Sequence, residues 1–230
     1  MAVYVIADPH LSFGTDKPMN IFRGWDRHAE KMQENWLATV RPEDAVVLPG
    51  DISWAMTPEQ ALADLQFLHE LPGTKIIGKG NHDYWWATMR KMTALAEEHG
   101  LSSLRFLFNN AFLADGIAVC GTRGWFFDAE ADAQGEKIIL REAGRLRASL
   151  TAGQALGGTL TAFLHYPAAA DGRVCAPLME VLHEFGVKRC YFGHLHGQNT
   201  ARYDDFTVEE IRFSLVSADH LQFCPLRVEF

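Results

Sequence analysis

Short, nearly uninterrupted apolar runs recur along the chain, at residues 3–7, 45–48, 75–77, 117–120, 160–164 and 189–192. Their length and their content of branched and aromatic residues predict β-strands. Between the early runs the spacing changes. Trp25, Ala29, Met32, Trp36 and Val40 recur at steps of three and four, which predicts a helix over 25–40 with one apolar face. A second helix is expected to start at Thr57, a capping residue followed by Pro58 in the first turn, and to end near residue 71 before Pro72-Gly73. A third is expected over 85–99, stopped by Gly100. Strand, loop, helix and strand in repetition predict an α/β core with its sheet buried between helices. After His196 the pattern becomes strands alone, at 206–208, 211–216 and 226–230, which predicts an antiparallel or added sheet. The stretch 123–158, rich in Arg, Glu, Ala and Gly with a helix expected at 136–150, reads as a possible flap over a site. No repeat or linker divides the chain, so residues 1–230 are expected to form one domain.

Composition narrows this picture. With 48% hydrophobic and 22% charged residues in a chain of 230, there is enough apolar material for one well-filled core. The first residues, MAVYVIADPH, carry no basic leader, and Asp8 interrupts their apolar run. No stretch approaches the roughly 18 apolar residues a membrane span requires. A cytoplasmic protein without membrane contact is the expectation. Cys120, Cys175, Cys190 and Cys224 form no C-x-x-C pair, so they read as reduced structural residues. The formal net charge of -8 argues against a broad surface for nucleic acid. Attraction for an anion must then have a local source.

Five of the predicted strands run into short polar motifs, and ligand sites of open α/β sheets form beyond the carboxyl ends of strands. Asp8-Pro9-His10 places a carboxylate and an imidazole two positions apart, so that both can meet one cation. Gly50-Asp51 follows, with a carboxylate whose two oxygens can serve two cations. Gly80-Asn81-His82-Asp83 offers an amide oxygen beside an imidazole. His165 stands alone after LTAFL, and Gly193-His194-Leu195-His196 again sets two imidazoles two positions apart.

In this order the five motifs resemble those of the calcineurin-like metallophosphoesterases, over residues 8–196. The longer strings GDISWAM and GNHDYWW resemble a bacterial group of predicted phosphohydrolases. The resemblance implies a four-layer α/β/β/α sandwich and two divalent ions, each manganese, iron, zinc or cobalt. It implies that Asp8, His10, Asp51 and His196 hold one metal, that Asp51, Asn81, His165 and His194 hold the other, and that Asp51 bridges. It also implies hydrolysis of a phosphoester by a hydroxide shared between metals about 3.5–4 Å apart, with His82 as general acid. Asp83 is expected to orient His82. Two divalent cations against Asp8 and Asp51 leave a local excess of positive charge for a phosphate.

Where phosphoprotein phosphatases of the superfamily carry G-D-x-V-D-R-G and G-N-H-E, this chain has Trp54, Ala55 and Asp83, which argues against a phosphoprotein substrate. A small phosphorylated molecule, monoester or diester, is expected instead, contacted by Arg123, Asn81 and Trp54. A metal-dependent nuclease is disfavoured by the acidic charge. A non-catalytic scaffold on the same fold is disfavoured because no ligand is missing. The sequence leaves the oligomeric state open.

Overall fold

The computed structural model describes residues 1–125, 133–197 and 199–229. Two mixed sheets stack face to face, and each carries helices on its outer side. The first has the order β13 (Leu226–Arg227), β1 (Val3–Val5), β2 (Ala45–Leu48), β3 (Thr74–Ile77) and β4 (Leu104–Phe106). Strands β1 to β4 are parallel, and only the edge strand β13 is antiparallel. The second has the order β11 (Phe206–Val208), β12 (Ile211–Leu215), β10 (Arg189–Phe192), β7 (Thr159–Leu164), β6 (Ile117–Thr122) and β5 (Ala111–Ala114). Its four inner strands are parallel between two antiparallel edges. A small hairpin joins β8 (Ala169–Ala170) to β9 (Arg173–Val174).

Parallel strands covered on both faces need apolar residues on both, which explains the near-continuous runs. β2 and β10 are buried at every position. One core lies between the sheets, where Val5, Val47, Ile76, Val119, Phe163, Tyr191 and Val216 meet. A second lies between the first sheet and helices α1 (His28–Thr39), α2 (Pro58–Glu70) and α3 (Met89–Glu98). A third lies between the second sheet and helices α4 (Ala133–Leu156) and α5 (Ala176–Glu184). The molecule is thus an α/β fold of four layers, α/β/β/α.

The C-terminal strands form no sheet of their own. β12 extends the second sheet parallel to β10, and β13 closes the edge of the first. α1 begins at His28 rather than Trp25, and α3 at Met89 rather than Trp85; in both cases the early aromatic is buried from a preceding loop. The expected flap divides. Residues 126–132 lie outside the described residues, while α4 buries Ala143, Leu146 and Leu150 in the third core and so forms a wall of the fold. Among the described residues no helix is long and apolar enough to cross a membrane.

Candidate metal centre

The carboxyl ends of β1, β2, β3, β7 and β10 deliver the five motifs to one place. Leaving the strands requires sharp reversals, and the backbone takes them at the polar residues themselves. Asp8, His10, Asp51 and His194 have φ of 56°, 45°, 51° and 71°. This left-handed region costs a non-glycine residue about 1–3 kcal/mol and is concentrated at functional sites. Two glycines are required by close approach. A Cβ on Gly80 would collide with the carboxylate and backbone nitrogen of Asp51, and one on Gly193 with the carboxylate of Asp8.

The side chains form two clusters, Asp8–His10–His196 and Asp51–His165–His194, each with its ligating atoms within 4.8 Å of one another. Asp51 lies between them: its Oδ2 is 3.8 Å from His10 Nε2 and 3.5 Å from His165 Nε2. Asp8 Oδ1 is 3.8 Å from His196 Nε2 and 3.5 Å from His165 Nδ1. The Nε2 atoms of His10 and His196 approach to 3.4 Å, and Asn81 Oδ1 stands 2.7 Å from His165 Nε2. All seven expected ligands therefore converge, although they span Asp8 to His196.

The electrostatics of this cluster are unfavourable without a cation. Burial, offset in part by His196, Ser217 and the His194 amide, raises the Asp8 carboxyl to about 6. Burial, then the neighbouring Asp8 and Asp83, pushes Asp51 up to about 9. Burial and the other imidazoles hold His10 and His165 well below the ordinary histidine value and lower His194 to about 4. Carboxyls pushed up and imidazoles pushed down are what desolvation produces where counter-charge is missing. The Nδ1 atoms of His10 and His165 are buried with no hydrogen-bond partner among the described residues. Imidazole, carboxylate and amide donors without thiolate suit first-row divalent ions, so the residues present fit a dinuclear metal centre.

Supporting residues fix these donors. Asp219 accepts a hydrogen bond from His196 Nδ1 at 2.8 Å and from the Gly197 amide at 2.9 Å, which turns Nε2 of the ring inward. His196 moves above its usual value: burial lowers it, and Asp219 with Asp8 outweighs that. Ser217 Oγ donates to Asp8 Oδ2 at 2.7 Å. Sequence reasoning missed Asp219 and Ser217, which belong to no motif. Their only signal is that Ser217-Ala218-Asp219 directly follows an apolar run, with no second polar residue at a fixed spacing to mark a motif.

His82 lies beside the first cluster. Its ring is 5.7 Å from His10 and 4.4 Å from Trp54, and its amide donates to Asp51 Oδ1 at 2.7 Å. Trp54 stacks on His10 at 4.9 Å, as a wall of the site. Asp83 departs from its expected role. Its carboxylate accepts from the amides of Ile52 and Gly80 at 2.8 and 2.7 Å and from Trp85 Nε1 at 2.8 Å. The Ser53 amide adds a contact at 3.2 Å. It thus ties two site loops together instead of orienting His82, whose Nδ1 finds no hydrogen-bond partner among the described residues. Arg123 departs too: Nη2 is 3.7 Å from the buried Glu142 carboxylate, and the guanidinium stacks on Trp125 at 4.9 Å. It does not line the cavity of about 850 Å³ that opens beside His10, His82, Trp54 and His196.

The sequence pattern of the calcineurin-like phosphoesterases matches residues 1–198. Solved structures give the same fold. A protein of unknown function from Aquifex aeolicus aligns at TM-score 0.53 and 15% identity, over 98% of this chain and 95% of its own. Phosphopantetheinyl hydrolase from Mycobacterium tuberculosis aligns at TM-score 0.53 and 14% identity, over 99% and 95%. A protein from Thermus thermophilus aligns at TM-score 0.56 and 13% identity, over 93% and 87%. At such identities the structures bear on the fold alone. No curated protein matches the chain significantly. With the pattern spanning most of the chain, this protein belongs to the calcineurin-like phosphoesterase family.

Proposed function

We propose that the chain is a dinuclear-metal-dependent phosphohydrolase acting on a small phosphorylated molecule in the cytoplasm. The observation that carries this reading is the position of Asp51, whose carboxylate lies between two clusters of buried donors. Asp8, His10, Asp51 and His196 would hold one divalent ion; Asp51, Asn81, His165 and His194 would hold the other. When bound, such a pair supplies Lewis acidity toward phosphoryl oxygens and an activated water.

The chain's own groups have separate tasks. Asp219 and Ser217 keep His196 and Asp8 in place. His82 is the proposed general acid toward the leaving oxygen. Burial first, then His196 and Lys17, hold its imidazole below the ordinary value, so it is largely neutral near pH 7 in the free protein. A bound phosphate anion favours its protonated form. The four thiols are free, which suits a reducing compartment.

Hydrolysis of bis-p-nitrophenyl phosphate and p-nitrophenyl phosphate, with manganese added and then chelated, tests the reading. Turnover that requires the metal supports it, and the preferred ester separates diesterase from monoesterase. Absence of turnover of either ester with manganese, iron, zinc or cobalt would favour a scaffold on the same fold. His82→Ala is expected to retain both ions and to lose rate chiefly on esters with poor leaving groups. Loss of metal from that variant would contradict the acid role.

A further inference from the structure

The cavity beside the first cluster is far larger than a phosphoryl group needs. At about 850 Å³ it falls in the range of pockets that enclose whole organic ligands. It opens on one side of the metal centre: His10, His82 and His196 line it, and its further wall is built from Met19, Phe22, Trp25 and Phe223. The segment 12–27 supplies most of that wall and is held in position. Trp54 Nε1 donates to Met19 Sδ at 3.2 Å, and the Trp25 ring meets His196 and Phe223 edge-on at 5.7 and 5.3 Å. Phe22 nonetheless remains 51% exposed and its neighbour Ile21 73%. Exposed apolar side chains that adjoin a large apolar cavity beside the metal centre, rather than standing singly, are the pattern of a binding surface. Two cations stand at the rim, Arg23 on the wall and Lys17 with Nζ 5.2 Å from the Trp54 ring. In a chain of net charge -8 they give this mouth a local pull on anions.

We propose that this cavity receives the leaving-group half of an organic phosphoester, and that this half is an extended apolar or aromatic group. The inference rests on the phosphohydrolase reading, because His82 on the cavity wall sets the direction: the oxygen it protonates must face the cavity. The chemistry follows from the wall. Away from the imidazoles and the cation Arg23 at the rim, the side chains lining it are chiefly apolar or aromatic, and Asp219 is already engaged by His196 and Gly197. A sugar or peptide would leave buried polar groups unpaired, whereas an alkyl chain or ring would cover Phe22, Met19 and Phe223.

Phosphonates, which carry the anion without a hydrolysable ester, test this directly. Calorimetric titration of the manganese-loaded protein should find octylphosphonate and 2-naphthylmethylphosphonate at least about tenfold tighter than methylphosphonate. The larger gain tells chain from ring. Phe22→Asp, at a position already 51% exposed, should lower the ratio of affinities severalfold, and an unchanged ratio would count against the assignment. Equal affinities for all three, in a protein that hydrolyses the p-nitrophenyl esters, would overturn the cavity assignment and leave the phosphohydrolase reading intact. Apolar-dependent binding without turnover of any ester would overturn the leaving-group assignment through the failure of that reading itself.

Discussion

Asp51 bears a heavy electrostatic load. Its carboxyl is raised to about 9 against an ordinary 3.8, chiefly by burial and then by Asp8 and Asp83. The folded, metal-free chain therefore binds a proton there that the unfolded chain has released. Since stability falls with pH wherever the folded state binds more protons, Asp51 should cost the metal-free protein stability progressively until the pH has risen through about 9. The depressed histidines oppose this slope near pH 7, where unfolded imidazoles still bind some protons, and their effect fades as the pH approaches 8, so the comparison with a variant at Asp51 isolates its share. Thermal melts between pH 7 and 9 should fall more steeply with pH in the wild type than in Asp51→Asn. A wild-type melt no more pH-dependent than that variant would contradict the assignment. Asp219 is the second residue-scale test. If it fixes the His196 ring, Asp219→Asn should weaken metal affinity by about 10–100-fold and leave the thermal midpoint of the metal-free protein little changed. Calorimetric metal titration reads the first, and melts the second. The seven side chains that converge were legible because each sits in a motif after an apolar run. Asp219 and Ser217 were not, because a hydrogen-bonded support needs no fixed spacing from what it supports.

At the scale of elements, the site is a set of loops that must be locked to one another. Asp83 provides that lock between the loops after β2 and β3, accepting from Ile52, Ser53, Gly80 and Trp85. Asp83→Ala strands buried donors, so it should destabilise by about 3 kcal/mol or more in denaturant melts. Unchanged stability with a loss of rate alone would instead restore its expected role beside His82. A milder effect is expected at α2, where Thr57 Oγ1 accepts from the Gln60 amide at 3.3 Å: Thr57→Ala should cost about 1 kcal/mol. That cap, the proline after it and the apolar strands were readable locally. The starts of α1 and α3 were not, because Trp25 and Trp85 continue the helical spacing while lying in loops fixed by tertiary contacts. The partners of β12 and β13 were likewise hidden, since pairing depends on distant strands.

For the whole molecule, two sheets of separate sequence origin face each other, and the centre forms where their strand ends meet. Asp8, Asp51 and Asn81 follow strands of the first sheet, and His165, His194 and His196 follow strands of the second. Cations held by both should therefore clamp the halves together. At a hundredfold excess over the dissociation constant, manganese is expected to add about 2.7 kcal/mol, reversed by chelator. Whether two ions share Asp51 is read by electron paramagnetic resonance of the manganese-loaded protein. A shared Asp51 should give a spin-coupled pair at two equivalents of manganese that disappears in Asp51→Asn. A spectrum of isolated, uncoupled ions at every loading would contradict it.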